Sequence, residues 1–407
     1  MDKFDVVIVG AGIAGISTAY YLATKHQITN VLLVDKRPPL TFTSDKSGSN
    51  YRNWWSNPAM VQLANHSIDK MDELAQKTHN IFNMNRRGYA YFGRDVDMQA
   101  YLNRYSQADV GDVRIYEGTA SSYQPQETPS LSGADVLVGH DLVKQYAPFV
   151  ADDVQSMVHV RRAGWISTRV MAHHMLDTAA GLGVAELLGA IVEVNGGDGE
   201  WHLQIDTYHG MQSVSTPRVV WAVGPNTAML SDDMDIPVSN VFHQKLMIRD
   251  HGEILPDGMP FMIFTDAPTC DWTDAEREYL VDYVGSDDIP GNFHIRRVND
   301  DWIHLGWAFN NKPTTTGYAL QFETLFPDVV VKGMSSFIPA LKSYVPASPK
   351  IISGGFYTRT PENLPIIHAD STGRYVITAL SGFGVMMGCG IGDIMSDMVA
   401  GYDTQAY

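Results

Sequence analysis

The sequence predicts an α/β protein, α+β overall, in which a parallel-sheet domain built from separated stretches of chain carries an inserted, mostly antiparallel β-sheet domain. Three observations predict it. Residues 1–35 follow a strand–helix–strand pattern, the last stretch of chain returns to strand–turn–helix character, and residues 236–345 alternate strand-like runs with Asp/Gly/Pro turns. The expected division assigns 1–95, 156–235 and 350–407 to the first domain and 96–155 and 236–349 to the second.

In chain order, the apolar run Phe4–Val9 leads directly into Gly10-Ala11-Gly12-Ile13-Ala14-Gly15, after which the pattern turns helical. A second apolar strand, Val31–Val34, ends in Asp35, 20 residues past the third glycine. A lone G-x-G-x-x-G is weak, but between a strand and a helix, with an acid at that distance, it marks a Rossmann-like dinucleotide-binding unit. Gly10 permits the tight turn, Gly12 lets the backbone approach a pyrophosphate, and Gly15 packs the helix on the strand. The helix N-terminus then faces the phosphates, and Asp35 accepts hydrogen bonds from an adenosine ribose. The bland alternative is an ordinary crossover with a glycine turn.

Residues 59–78 place Met60, Leu63, Ala64, Ile68, Met71 and Leu74 at near-helical spacing, and Gly88–Gly93 reads as a strand. The Ser-, Gln-, Pro- and Asp-rich stretch 106–135 reads as loop. A helix over Thr168–Leu182 stops at Gly183, and Ala190–Val194 is a strand. The hairpin Trp201–Asp206 and Ser213–Val223 closes in a buried strand ending at Gly224. Tyr375–Leu380 is a strand, Ser381–Gly384 a tight turn and Val385–Ala400 a helix. A ligand crevice belongs where the two domains meet.

The composition is that of a folded globular chain: of 407 residues, 44% are hydrophobic and 18% charged. A net charge of −17, with no Lys/Arg cluster interleaved with aromatics, argues against a nucleic-acid or anionic-membrane surface. Two distant cysteines, Cys270 and Cys389, suit a reducing compartment. With a strand starting at residue 4 and no apolar stretch near the ~20 residues of a membrane helix, the expected location is the cytoplasm. No metal is expected: the 14 histidines show no H-x-x-x-H or Cys-paired spacing, and adjacent His173 and His174 point apart on a helix. The G-x-S-x-G elbow and the P-loop are absent.

The chain resembles, over nearly its whole length, the D-amino-acid-oxidase-like FAD oxidoreductases, and most of all their monomeric sarcosine oxidase and dimethylglycine dehydrogenase branch. The resemblance rests on Gly10–Gly15 with Asp35, the segment Thr43–Ser47 through Tyr51-Arg52, and Ala163–Ile166. It is completed by Gly354–Asn363 and Leu380–Gly384. It implies FAD held by Gly10, Gly12, Ile13, Ala14, Gly15, Asp35, Lys36, Ser44, Lys46, Ser47, Ile191, Val192, Gly224, Gly355, Ser381, Gly382, Phe383, Gly384, Val385 and Met386. The dipole of the helix opened by Ser381–Gly384 would favour negative charge on the reduced flavin. Tyr357 matches the family tyrosine beside the substrate. Arg52 matches an arginine that holds the substrate carboxylate or lies against the flavin. Lys46 would neutralise a phosphate or a flavin oxygen.

The pattern also departs from the family. Gly355 stands where sarcosine-oxidase-like enzymes carry a flavin-linking cysteine, so non-covalent FAD is expected. His304 stands in place of the lysine that activates dioxygen, Ala308 in place of a second histidine, and Val385-Met386-Met387 supply no carboxylate-clamping lysine. His243, Lys245 and His294 are candidates for a relocated base or oxygen-facing cation. The resemblance implies oxidation of a C–N bond in an amine or N-substituted amino acid, with Tyr357, His304 and Arg52 as catalytic candidates. Dioxygen or an electron-acceptor protein would take the electrons, and the oligomeric state stays open. A nicotinamide-dependent dehydrogenase of imino or opine-like acids and a non-catalytic FAD-binding subunit are the alternatives.

Overall fold

Val6–Val9 and Val31–Val34 are unbroken apolar runs, and such strands are stable only when both faces are covered. In the computed structural model, which describes all residues except 96–101, 104–109, 119–121, 231–235, 300, 318–319, 347–349 and 405–407, both faces are covered. The two runs lie parallel at the centre of a nine-stranded sheet. Val219–Trp221 and then Arg374–Thr378 extend it in parallel on one side. The beginning, middle and end of the chain therefore meet in adjacent strands. On the other side Ala185–Gly197 pairs in parallel with Val31–Asp35 through residues 185–188. It then turns into an antiparallel meander with Glu200–Thr207 and Gly210–Thr216.

Strand periodicity divides the apolar residues between two cores. Val6, Ile8, Val31 and Leu33 pack under the helices Ile13–Lys25, Pro58–Lys77, Thr168–Gly181 and Gly384–Ala400. Val7, Val9, Leu32 and Val34 pack against Trp201, Leu203, Ile205 and Val214 of the meander. The first and last helices touch closely. Ser17 Oγ donates to Gly388 O at 2.7 Å, and a Cβ on Gly392 would lie 2.3 Å from Ser17 Oγ.

The second sheet also has nine strands, in the order Lys350–Arg359, Ser239–Arg249, Trp302–Trp307, Phe293–Arg297, Phe261–Phe264, Tyr89–Gly93, Ser156–Val160, Ala134–Val138 and Val113–Glu117. All neighbours are antiparallel except Phe261–Phe264 with Tyr89–Gly93 and Val113–Glu117 with Ala134–Val138. Sheet membership and the sequence division differ at three strands: Tyr89–Gly93, Ser156–Val160 and Lys350–Arg359, grouped from sequence with the dinucleotide domain, hydrogen-bond into this second sheet. Val113–Glu117 is an edge strand within the stretch read as loop. Its burial alternates between exposed and intermediate, so no apolar face betrays it.

On the central strands the alternation is sharp. Leu246, Ile248, Phe293, Ile295, Ile303 and Leu305 enter an apolar core with the helix Phe326–Met334. The opposite face carries His243, Lys245, His294, Arg296 and His304. In register, Lys245 lies opposite Gly306, which lies opposite His294. Among the described residues no helix is long and apolar enough to cross a membrane.

Candidate active site

The glycine loop is shaped by contacts that leave no room for a side chain. Gly10 has φ +110°, and a Cβ there would lie 2.3 Å from Ala222 O. A Cβ on Gly15 would lie 1.9 Å from Gly10 O, so the helix sits directly on the strand end. Asp35 is oriented by two backbone donors: Ala11 N–H to Oδ2 at 2.8 Å and Arg37 N–H to Oδ1 at 2.9 Å. Ile13 N–H donates to Ser44 Oγ at 3.1 Å, which ties the Ser44–Lys46 turn to the helix start. The helix Ile13–Lys25 has no side-chain cap and no acid in its first turn. Neither does Gly384–Ala400. Both helix N-termini thus open on the same cleft with no acid in their first turns, an arrangement suited to anionic ligand groups.

The two C-terminal motifs are joined to one another. Ser381 N–H donates to Thr358 O at 2.9 Å, and a Cβ on Gly382 would lie 2.5 Å from Tyr357 Cε2. Ala379 and Ser381 hold left-handed backbone at φ +58° and +43°. Such conformations cost energy in non-glycine residues and persist where surrounding contacts enforce them. Tyr357 lies 4.2 Å, ring to ring, from His243. Burial raises its phenol pKa, and the Arg359 and Arg52 charges draw it partway back, so it is a neutral hydroxyl at physiological pH.

One cleft is lined by Gly10, Gly12, Ile13, Ala14, Asp35, Ser44, Lys46, Ser47, Gly224, Gly355, Tyr357, Ser381, Gly382, Gly384 and Val385. An adjoining cleft shares Gly10, Asp35, Val223 and Asn226 with it and is lined also by Lys36, Ile191 and Val192. Gly15, Phe383 and Met386 lie outside both linings. Phe383 packs edge-on against Trp55 at 5.5 Å, and Met386 is buried in the core beneath the helices. Arg52 also stands off the lining. Its strand, Asn50–Arg52, pairs with Ala163–Trp165. Its guanidinium lies 4.2 Å from the Trp55 ring and 5.5 Å from that of Tyr89. Lys46 Nζ donates to Asp45 Oδ2 at 2.7 Å.

The cleft floor is the basic face of the second sheet, where His243, Lys245, His294 and Ala308 contribute. Burial, reinforced by Arg296 and Lys46, pushes the Lys245 pKa down to about 7. Burial takes His294 down to about 4, with Lys245 adding to it, and His243 down to about 3, with Arg359 adding to it. Arg296 falls to about 10 through burial. At neutral pH the imidazoles are therefore neutral, and Lys245 gives up its proton far more readily than an exposed lysine. His304 sits one register step deeper, opposite Arg296, with its ring 5.8 Å from that of His294. The structure thus puts Lys245 and His294, rather than His304, in the lining, because His304 pairs a row away from Gly306. Arg296 and Arg359 were not singled out from sequence. The signal was basic residues two apart in separate strands, His243/Lys245 and His294/Arg296.

The site fits FAD. The glycine loop approaches without side chains, Asp35 stands at its rim, and two helix N-termini await negative charge. Among solved structures, the chain is similar to L-proline dehydrogenase from P. horikoshii at 18% identity and TM-score 0.72, covering 98% of this chain and 93% of that one. It is similar to glycine oxidase from Bacillus cereus at 17% identity and TM-score 0.71, covering 98% and 95%. Iminodiacetate oxidase from Chelativorans sp. matches at 17% identity and TM-score 0.70, covering 98% and 96%. No curated protein sequence matches the chain. Residues 5–398 match the family described as FAD dependent oxidoreductase (DAO), and the chain belongs to that family of FAD-dependent enzymes.

Proposed function

We propose that the protein oxidises the C–N bond of an amine or N-substituted amino acid to an imine, which water then hydrolyses, with the electrons passed on to dioxygen or another acceptor. FAD, when bound, supplies the two-electron acceptor. The observation that carries the reading is a lysine, Lys245, buried on the cleft floor across Gly306 from His294, where burial pushes its pKa down towards neutrality. An amine must lose its ammonium proton before it can be oxidised, and a lysine whose pKa is lowered by burial can take that proton in its neutral form. The neutral Tyr357 hydroxyl orients the substrate. Arg52, fixed on Trp55 and Tyr89, contributes positive charge that favours a carboxylate. His304 acts through Lys245 and His294 as a positioning residue. The names of the structural neighbours, L-proline dehydrogenase, glycine oxidase and iminodiacetate oxidase, support a substrate that joins an amine to a carboxylate. Gly355 offers no side chain for a thioether, which supports non-covalent FAD.

The test is anaerobic flavin absorbance during titration with primary, N-methylated and cyclic amino acids and simple amines. Bleaching by one class supports the reading, and admitting air then separates oxidase from dehydrogenase. Flavin that no member of the panel reduces would sink it. Acid precipitation should release the flavin to the supernatant.

A further inference from the structure

A second cavity, of 530 Å³, lies beside the turn Ser44–Lys46. It shares Leu40 and Ser44 with the flavin cleft, so the same short stretch of chain walls both. Arg296, Arg169, Ser49, Ser167 and Trp165 contribute to its lining. The two arginines stand there in different ways. The Arg296 guanidinium lies 5.1 Å from the Trp165 ring. Its Nη2 donates to Gly48 O at 3.3 Å and its Nη1 to Arg297 O at 3.4 Å, which leaves Nε without a partner. Burial brings its pKa down to about 10, so it stays charged at neutral pH. Carbonyl oxygens orient a guanidinium without cancelling its charge, and among the described residues no carboxylate pairs with it. A cation withdrawn from water with no counter-ion is costly, and the arrangement calls for an anion.

Arg169 is 71% exposed and pairs with Asp45. Asp45 also accepts from Lys46 Nζ at 2.7 Å, so it keeps a partner when Arg169 turns to a ligand. At Arg169 a monocarboxylate would only replace one carboxylate by another. A phosphate brings a second charge and a third oxygen, and a planar guanidinium matches it with paired donors. We propose that this cavity binds a phosphoryl group, as free phosphate or on a small organic ester, through Arg296 and Arg169. The site is separate from the flavin cleft.

Occupancy would be felt in that cleft. After burial, the Arg296 charge does most to hold down the proton affinity of Lys245, followed by Lys46, with Asp45 opposing them. The other titratable groups around Lys245 are His243 on its own strand, His304 on the next, and His294 on the strand beyond, which also carries Arg296. Burial keeps all three imidazoles neutral at physiological pH. A phosphate on Arg296 offsets the larger repulsion, and Lys245 then keeps its proton to higher pH. The cavity thus serves as an effector site that sets the charge of the cleft lysine without entering the cleft.

The experiment uses the FAD-loaded protein, so that phosphate does not enter the cofactor's own site, at constant ionic strength. Calorimetric titration compares inorganic phosphate, methyl phosphate and acetate. Saturable phosphate binding about tenfold or more tighter than that of acetate is expected. Arg296→Met should weaken it about tenfold, and Arg169→Met by a smaller factor. Methyl phosphate that outbinds phosphate assigns the site to an ester, and the reverse order assigns it to the free ion. The flavin spectrum, followed against pH, should show a midpoint that phosphate raises by about half a unit or more. Arg296→Met should raise that midpoint by itself and make it indifferent to phosphate, and Arg296→Lys should restore the response. Absence of saturable phosphate binding overturns the proposal. So does equal affinity for phosphate and acetate, or phosphate affinity unchanged in both Met variants. A midpoint that bound phosphate leaves unmoved overturns the effector role. If Arg296→Met fails to hold flavin, Arg169→Met, altered at an exposed side chain, decides. Neither measurement needs turnover, so the amine-oxidation reading stands or falls separately.

Discussion

On the strand Phe293–Arg297, Phe293 and Ile295 disappear into an apolar core, while on the other face His294 lines the flavin cleft and Arg296 a neighbouring pocket beside Trp165. Trp302–Trp307 repeats the division, with Ile303 and Leu305 on one side and His304 and Gly306 on the other. The apolar face is closed by the chain's own side chains: Phe264, Phe293, Phe326 and Phe337 interlock there at under 5% exposure. The basic face leaves nitrogens without partners. One face therefore serves stability and asks nothing of a ligand. The other lines the flavin cleft with His243, Lys245 and His294 and is free to meet a ligand.

The strongest way to break this comparison is Lys245→Met. Flavin reduction by the best amine, followed by anaerobic stopped flow, should slow by about 100-fold or more, the scale of losing a charged group from an active site. The urea midpoint should hold or rise, because the substitution removes a buried charge. Reduction within threefold of the unaltered protein would remove Lys245 from the chemistry. Leu305→Ala probes the other face. It should cost about 2–5 kcal/mol in urea unfolding while the folded fraction reduces its flavin at close to the usual rate.

Titration sharpens the contrast next. His243 and His294 carry folded pKa values of about 3 and 4 against 6.5 unfolded. Between those values the unfolded chain binds protons that the folded one refuses, so stability should fall by a few kcal/mol as pH drops from 6.5 to 4. Lys245 works in the alkaline range. With about 7 folded against 10.5 unfolded, stability should rise with pH across that interval. Lys245→Met should flatten the slope. Urea midpoints at fixed pH read both effects.

The smallest effects come from a pair of glycines. A Cβ on Gly333 would press on Phe293 Cζ at 2.4 Å, and one on Gly306 on His294 Nε2 at 1.9 Å. Gly333→Ala should cost about 1–3 kcal/mol of stability and leave the flavin spectrum unchanged. Gly306→Ala should shift the flavin spectrum and the reduction rate by displacing the His294 ring. A spectrum untouched by Gly306→Ala would mean that this ring does not face the cofactor.

Local patterns carried much of this into the sequence. Val6–Val9, the glycine loop and Asp35 lie within one 35-residue stretch, and the final helix follows its turn directly, so short-range spacing reveals them. The basic face was hidden because it depends on register. His243, His294 and His304 come from three strands, and only their pairing shows that Lys245 and His294 flank Gly306 while His304 falls a row behind. The same non-local pairing places Tyr89–Gly93 and Lys350–Arg359 in the second sheet. The helix Asp274–Val284 was readable and missed, since Thr273 and Glu276 form its capping box.

The contact between the first and last helices sets a schedule for biosynthesis. Ser17 reaches the Gly388 carbonyl, and the strand Arg374–Thr378 completes the sheet begun by Val6–Val9. The glycine loop emerges from the ribosome early, yet the helix it packs against is made more than 350 residues later. A cleft with both helix N-termini in place therefore requires the helix Gly384–Ala400, and a nascent chain stalled before Gly384 would leave Val6, Ile8, Val31 and Leu33 without that cover.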